Sequence, residues 1–180
     1  MTTPHFVLLD RDGVINQDAD DFVKSVDEWQ PIDGSFDAIA LLNAHGYRVA
    51  VITNQSGLAR GLFDETTLTA MHDKMRHLAR QAGGAIDAVY FCPHGQDSDC
   101  ECRKPKPGLL QQCAADFGFT LAETYFIGDS LRDIQAAEAA GAKPILVKTG
   151  KGQKTLADNP YLNLPIFDSL YDAARYIASC

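Results

Sequence analysis

The chain has 180 residues, of which 46% are hydrophobic and 22% are charged, a composition typical of one soluble globular domain. Sixteen Lys and Arg stand against 24 Asp and Glu, which gives a net charge of −8. This acidic balance, without any block of basic residues, excludes a protein that grips nucleic acid or an anionic membrane through basic patches.

Five short apolar runs alternate with amphipathic helical patterns along the chain. The runs are rich in β-branched or aromatic residues and are bounded by Gly, Asn, Asp or Pro, as buried parallel strands are. The predicted strands are residues 6–9, 48–53, 86–91, 124–128 and 144–148, and the predicted helices are residues 35–45, 64–82, 108–117, 131–140 and 168–178. This alternation predicts an α/β fold with a doubly wound, mainly parallel sheet, in a single domain that spans residues 1–180.

The same sequence indicates the cellular compartment. MTTPHFVLLD carries no basic segment, and its apolar run stops at Asp10, so no secretory signal is expected. The sequence has no stretch of about 18 consecutive apolar residues, so we expect no membrane span. Three of the five cysteines lie within residues 92–102, which in a cytosolic chain indicates metal rather than disulfides. We therefore expect a cytoplasmic protein, and a monomer by default.

Acidic residues follow two of the predicted strands. Asp10 and Asp12 come after the first strand and Asp129 after the fourth, at the edge of the sheet where ligands bind. Taken singly, the first two fit a capped turn, and Asp129 fits a helix N-cap. Together, three buried carboxylates would repel unless a cation joins them, and all-oxygen ligands suit Mg²⁺.

Groups able to stabilise a phosphate lie nearby. Thr53 ends the second strand, and Arg103, Lys104 and Lys106 lie between the third and fourth strands, in a segment that its prolines hold extended. Carboxylates, Mg²⁺, a hydroxyl and a lysine together predict a site of phosphoryl transfer.

The loop of residues 92–102 carries two ligand pairs, CxH and CxC, formed by Cys92, His94, Cys100 and Cys102. A Cys₃His set that leaves no open position is typical of structural Zn²⁺. The alternatives are free thiols in a polar loop or a strained Cys100–Cys102 disulfide. Zinc here would brace the segment that delivers the following arginine and lysine.

Four motifs occur in order: DRDGVIN, TNQSGLARG, CPHGQDSDCECRKPKPG and GDSLRDIQAA. Over residues 6–150 they resemble the haloacid-dehalogenase (HAD) phosphatase superfamily. Within it they are similar to the D,D-heptose 1,7-bisphosphate phosphatases and the related histidinol-phosphatases. The resemblance implies a Rossmann-like core, here with room for only a minimal cap, and therefore an open site.

The resemblance also implies catalytic roles. Asp10 would be the nucleophile that forms an aspartyl-phosphate, and Asp12 would protonate the leaving oxygen and then activate water. The side chains of Asp10 and Asp129 and the carbonyl of Asp12 would bind Mg²⁺. Thr53 and Lys104 would stabilise the transferring phosphoryl group. Lys106 is the alternative lysine for that role.

The residues that the resemblance places against substrate are Arg103, Asn54, Gln55, Ser56, Asp18 and Asp21. The alternative for residues 18–21, DADD, is a solvated acidic loop. Ser130 departs from relatives that have lysine directly after the motif aspartate, which leaves a substrate contact from this position in question. Asp133 would assist the metal through water, orient Lys104, or lie on the helix surface. His72 and His77 are expected on the surface.

The leading expectation is a Mg²⁺-dependent phosphatase that removes the 7-phosphate of D,D-heptose 1,7-bisphosphate, on the route to nucleotide-activated heptose for lipopolysaccharide cores. Its partner would be a small phosphorylated sugar. One alternative keeps the chemistry and acts on histidinol phosphate. The other is a non-catalytic, zinc-bearing binding module, which would not need all three strand-end acids.

Overall fold

The computed structural model describes residues 2–180. Its strands are β1 (His5–Leu9), β2 (Tyr47–Asn54), β3 (Ala88–Cys92), β4 (Tyr125–Gly128), β5 (Lys143–Val147) and β6 (Ile166–Phe167). Its α-helices are α1 (Ser35–Ala44), α2 (Glu65–Gln81), α3 (Gly108–Phe117), α4 (Leu131–Ala140), α5 (Gly152–Asp158) and α6 (Leu170–Ala178).

All strand pairs of these residues are parallel, in the order β3-β2-β1-β4-β5-β6. β1 is central, and its register pairs Val7 with Val49 on one side and with Tyr125 on the other. The predicted doubly wound parallel sheet is confirmed. Among these strands and α-helices, the two that the sequence pattern did not predict are the short α5 and the two-residue β6.

Alternating side chains of β1 supply the two faces of the sheet. Val7 and Leu9 belong to a core that α1, α2 and α6 cover, whereas Phe6 and Leu8 belong to a second core under α3 and α4. Since both faces are covered, the strands are buried on both sides, which accounts for their continuous apolar runs.

Connections leave the carboxyl edge of the sheet open. The segment between β1 and α1, residues 10–34, forms turns and isolated bridges that pair Asp12 with Asn16 and Asn16 with Pro31. It contains no helix or ladder strand in the part that the structure describes. The predicted minimal cap is therefore what the chain has.

Among residues 2–180, none of the helices combines the length and the apolar character that a membrane span requires.

Candidate active site

The carboxyl ends of β1, β2 and β4 open into one cleft, which we call the active-site cleft. Its lining combines acids with cations and small polar residues. The acids are Asp10, Asp12, Asp18, Asp20, Asp129 and Asp133, and the cations are Arg60, Arg103, Lys104, Arg132 and Lys151. The six acidic side chains therefore share the cleft with five cationic ones.

Lys104 lies at the centre of this cleft and is only 2% exposed. Its Nζ lies 2.9 Å from Oδ1 of Asp10, 2.7 Å from Oδ1 of Asp133 and 3.0 Å from the carbonyl oxygen of Ile52. Burial alone would lower the pKa of this lysine, but the two carboxylates outweigh burial and raise it. The ammonium thus stays charged, with all three N–H groups engaged.

Asn54 fixes the backbone of Lys104. The side-chain amide of Asn54 donates to the Lys104 carbonyl at 3.1 Å, and its oxygen accepts from the Lys104 N–H at 3.0 Å. The competing Lys106 is exposed and donates to the carbonyl of Cys100 at 2.9 Å. The structure therefore brings Lys104, and not Lys106, into the cleft, and it gives Asn54 a supporting contact that sequence reasoning did not identify.

Two acids in the cleft are destabilised as anions. Oδ1 of Asp10 accepts the Arg11 N–H at 2.8 Å, and Oδ2 of Asp129 accepts the Lys151 N–H at 2.8 Å. Burial, followed by the charge of Asp133, raises the pKa of Asp10 well above its ordinary value and that of Asp129 to about 7. Crowded, dehydrated carboxylates of this kind are stabilised by a cation.

Two glycines permit the backbone to approach Asp129 closely. Gly13 has φ +82° and Gly150 has φ +56°, and a Cβ atom on either residue would overlap the Asp129 carboxylate. Glycine meets both requirements, because it adopts the left-handed conformation without strain and has no Cβ atom. The glycine of DRDG therefore provides the space in which the Asp129 carboxylate lies.

Asp133 is buried at the N-terminus of α4 and orients Lys104. Besides the ion pair to Lys104, its Oδ2 accepts the backbone N–H groups of Asp129 and Ser130, each at 3.2 Å, and the Ser130 hydroxyl at 2.9 Å. The alternative of a surface acid is wrong. The hydroxyl of Ser130, the residue that replaces lysine here, turns toward this helix cap.

Asp12 is held by three donors. Oδ1 lies 3.0 Å from Nε of Arg11 and accepts Nδ2 of Asn16 at 2.8 Å, while Oδ2 accepts Nε2 of Gln55 at 3.2 Å. Burial alone would raise the pKa of Asp12, but the charge and hydrogen bonds of these neighbours lower it. Gln55 also donates to Oγ1 of Thr53 at 2.9 Å, so it joins two predicted catalytic residues from behind the cleft.

One of the two predicted surface histidines is buried. His72 is 5% exposed, and its Nε2 lies 3.2 Å from Nη1 of Arg11. Burial, reinforced by the charge of Arg11, lowers the pKa of His72 to about 3. The expectation for His72 is thus wrong, since Arg11 arrives from 61 positions earlier in the chain, whereas His77 on the same helix is exposed as expected.

Three arginines gather at the mouth of the cleft. Arg103 was predicted, but Arg60 and Arg132 were not, although both stand within the quoted motifs. Burial and the neighbouring charges of Arg132 and Arg60 lower the pKa of Arg103. Ser56 lies in the same lining, as expected.

The DADD loop divides between cleft and solvent. Asp18 lines the cleft and pairs with Lys151 at 3.5 Å. Asp21 instead has a side chain that is 83% exposed and pairs with Lys24 at 3.1 Å. The structure therefore brings Asp18 to the site, but it does not bring Asp21 there.

The residues Cys92, His94, Cys100 and Cys102 meet at the end of β3, with ligand atoms within 4.8 Å of one another. Sγ of Cys92 lies 3.7 Å from Sγ of Cys100, 3.0 Å from Sγ of Cys102 and 3.5 Å from Nδ1 of His94. Tetrahedral zinc, with bonds of about 2.0–2.3 Å, places its ligand atoms about 3.5–3.8 Å apart, which the distances from Cys92 to Cys100 and to His94 match, whereas Cys92 and Cys102 lie closer. All cysteines among residues 2–180 are free thiols, so the alternative Cys100–Cys102 disulfide is not formed.

Comparisons with known proteins agree with this geometry. The HAD-hydrolase-like family profile matches residues 101–173. The D-glycero-beta-D-manno-heptose-1,7-bisphosphate 7-phosphatase of Neisseria meningitidis serogroup A is 55% identical over 175 residues, 95% of this chain and 93% of that protein. The protein of the same name from Pseudomonas aeruginosa is 50% identical over 164 residues, 91% of this chain and 92% of that one.

A solved structure shares the whole architecture. It is the D,D-heptose 1,7-bisphosphate phosphatase from B. bronchiseptica complexed with magnesium and phosphate, with a TM-score of 0.94 and 49% identity. The match covers 97% of this chain and 98% of that chain.

Proposed function

The chain belongs to the D-glycero-β-D-manno-heptose-1,7-bisphosphate 7-phosphatase family of HAD-like hydrolases, and from that premise we propose that it removes the 7-phosphate of D,D-heptose 1,7-bisphosphate. In this role it would serve the synthesis of nucleotide-activated heptose for lipopolysaccharide cores. The observation that carries the proposal is the Asp10–Lys104–Asp133 ion-pair cluster, which lies beside Asp12 and beneath a rim of arginines.

In the first half of the reaction, Asp10 attacks phosphorus. Its Oδ1 is held by Lys104 and by the Arg11 N–H, so we assign Oδ2 as the attacking atom. The new bond between Oδ2 and phosphorus forms as the bond from phosphorus to the sugar O7 breaks. Asp12 enters this step in its protonated form and gives that proton to the leaving oxygen.

In the second half, Asp12 acts as a base. It takes a proton from a water molecule that attacks the phosphorylated Asp10, which releases phosphate and restores the carboxylate. The ionised form that Arg11, Asn16 and Gln55 favour is the form required for this step. Thr53 and Lys104 hold the transferring oxygens in place, which is the electrostatic contribution expected in phosphoryl transfer.

We propose that Mg²⁺ is held by the side chains of Asp10 and Asp129 and by the carbonyl of Asp12. The residues fit this ion, because the donors are all oxygen and because burial and the charge of Asp133 raise the pKa values of both carboxyls even with Lys104 nearby, so that a further cation would stabilise their ionised forms. Both oxygens of Asp133 are already bonded to donors, so we do not assign it as a ligand. When bound, the ion would supply charge that neutralises the carboxylates and the incoming phosphate.

The arginine cluster supports a substrate with a second phosphate. Arg60, Arg103 and Arg132 line the cleft and are more exposed than the buried Lys104. A monophosphate would use only the buried cation, whereas a sugar bisphosphate would also bind these guanidinium groups, which match phosphate oxygens well.

A steady-state comparison of substrates tests this function. We expect kcat/KM for D,D-heptose 1,7-bisphosphate to exceed that for histidinol phosphate by about tenfold or more, since a second phosphate adds charged hydrogen bonds. A preference of that size for histidinol phosphate would identify the alternative substrate. Asp10→Asn is the matched control, and we expect it to lower kcat roughly 10⁴-fold or more; substantial residual turnover would mean that water attacks phosphorus directly.

We further propose that Cys92, His94, Cys100 and Cys102 hold a structural Zn²⁺. Arg103 directly follows the last of these ligands, and its Nη1 donates to the carbonyl of His94 at 3.4 Å. The ion would fix the loop from which the arginine and the next residue, the buried lysine, reach the cleft. Zinc bound to thiolates requires reduced cysteines, which supports a cytoplasmic location.

A further inference from the structure

The side chain of Arg11 links the proposed acid–base residue to a buried histidine. Nε and Nη2 of Arg11 lie 3.0 Å and 2.9 Å from Oδ1 of Asp12, and Nη1 lies 3.2 Å from Nε2 of His72. Arg11 has no exposed surface, and His72 is buried in the middle of α2. The three side chains therefore form one continuous contact that leads from the cleft to the core.

The chemistry of this contact fixes the state of the histidine. A guanidinium group only donates hydrogen bonds, so Nε2 of His72 must be the acceptor and the ring must carry its proton on Nδ1. The ring lies 6.3 Å, between centroids, from that of Phe91 on β3. Of the two ring nitrogens of His72, Nε2 is thus the one that is aimed at Arg11.

The contacts of Asp12 show what depends on this acceptor. Oδ1 is fixed by Arg11 and Asn16, and Oδ2 accepts only the longer bond from Gln55, at 3.2 Å. Oδ2 is consequently the oxygen available for proton transfer. Nη2 of Arg11 lies close to Oδ1 but makes no well-aligned hydrogen bond among the described residues. Without an acceptor at position 72, Nη1 would be a second buried nitrogen lacking a partner, and the guanidinium would turn away from the geometry that holds Oδ1.

We infer that His72 is a positioning residue for the acid–base step, which acts through Arg11 to aim Asp12 at the leaving oxygen. The inference rests on the proposed role of Asp12. Arg11 differs from the arginines at the mouth of the cleft, because it is buried and its guanidinium group is directed at the Asp12 carboxylate instead of the substrate.

Three variants test the inference. His72→Phe keeps a ring beside Phe91 and removes the acceptor, while His72→Gln places an amide oxygen near the position of Nε2. His77→Leu is the matched control, since His77 is an exposed histidine on the same helix. His72→Leu replaces the phenylalanine variant if that chain does not fold. Each variant is assayed with D,D-heptose 1,7-bisphosphate and with p-nitrophenyl phosphate, whose phenolate leaves without needing a proton.

A misplaced Asp12 slows the two substrates at different steps. With the sugar, loss of the acid slows formation of the phosphorylated Asp10, so we expect His72→Phe to lower kcat about tenfold or more with KM changed less than about twofold. With the aryl phosphate the first step stays fast and the water step becomes slow, so a burst of about one p-nitrophenolate per chain should appear. The glutamine variant should recover most of the sugar activity and lose the burst, and His77→Leu should match the wild type.

Equal losses on both substrates without a burst would show that His72 serves stability alone, and unchanged kinetics would also overturn the inference. Failure of the proposed function is distinguishable from both results. In that case the wild type would not hydrolyse the heptose bisphosphate, whereas the p-nitrophenyl phosphate burst would still report on Asp12 in the variants.

Discussion

Replacing Asp133 with asparagine should lower the free energy of unfolding of this protein substantially, although the two side chains have nearly the same shape. Asp133 accepts bonds from the Lys104 ammonium, the Ser130 hydroxyl and the N–H groups of Asp129 and Ser130. Asparagine has one acceptor oxygen and one NH₂ group. Whichever way the amide turns, its NH₂ faces either the ammonium or the two backbone N–H groups, and both arrangements set donor against donor.

Both orientations cost a similar free energy. If the NH₂ group faces Lys104, a buried ion pair loses one partner, which costs about 3–5 kcal/mol. If it faces the backbone, two N–H groups lose their acceptor, at about 1–3 kcal/mol each. We therefore expect the free energy of unfolding to fall by about 3–5 kcal/mol, and the melting temperature by about 6–20 °C for a domain of this size.

Urea denaturation followed by circular dichroism, with Mg²⁺ present throughout, measures the change. Ser130→Ala is the matched control, because it removes one of the four bonds and should cost about 1 kcal/mol. A loss below about 1 kcal/mol for Asp133→Asn would refute the reasoning, since it would mean that the Lys104 ammonium does not depend on this carboxylate.

Two further substitutions test the metal sites. Cys102→Ser should reduce bound zinc from about one ion per chain to near zero, measured by elemental mass spectrometry, while Cys180→Ser should keep it; retained zinc in the first variant would remove Cys102 from the ligand set. Gly13→Ala should weaken Mg²⁺ binding in calorimetric titration, because its Cβ would displace the Asp129 carboxylate. Gly46→Ala has the same backbone strain, at φ +85°, but open space around its Cβ, so it should cost about 1–2 kcal/mol of stability without affecting the metal.

The sequence pattern predicted the sheet well because its strands are buried on both faces. Differences arose where local chemistry overrides periodicity. The third strand begins at Ala88 rather than Ile86, since the carboxylate of Asp87 instead accepts Nε of Arg48 at 2.9 Å and the Val49 N–H at 3.1 Å. The short α5 buries only Gly152 and Thr155, so it has no apolar stripe that a pattern could reveal.

The site was predictable to the extent that its residues follow strands directly. Asp10, Asp12 and Asp129 line one cleft because parallel strands end at one edge. His72 and the burial of Asp133 were not predictable, because their partners come from segments remote in sequence. The sequence pattern of an isolated histidine at the border of an apolar helix face is the same whether or not a remote arginine contacts it in the folded protein.

The central position of β1 determines how a newly made chain can fold. Since β1 pairs with β2 on one side and with β4 on the other, its second edge has no partner until the ribosome has released residues 125–128. Until then an apolar strand edge is open to other chains. Asp10 also waits at the end of that strand for Lys104 to arrive. Slow synthesis between residues 55 and 125 should therefore promote aggregation of nascent chains, whereas a chaperone that covers β1 should suppress it.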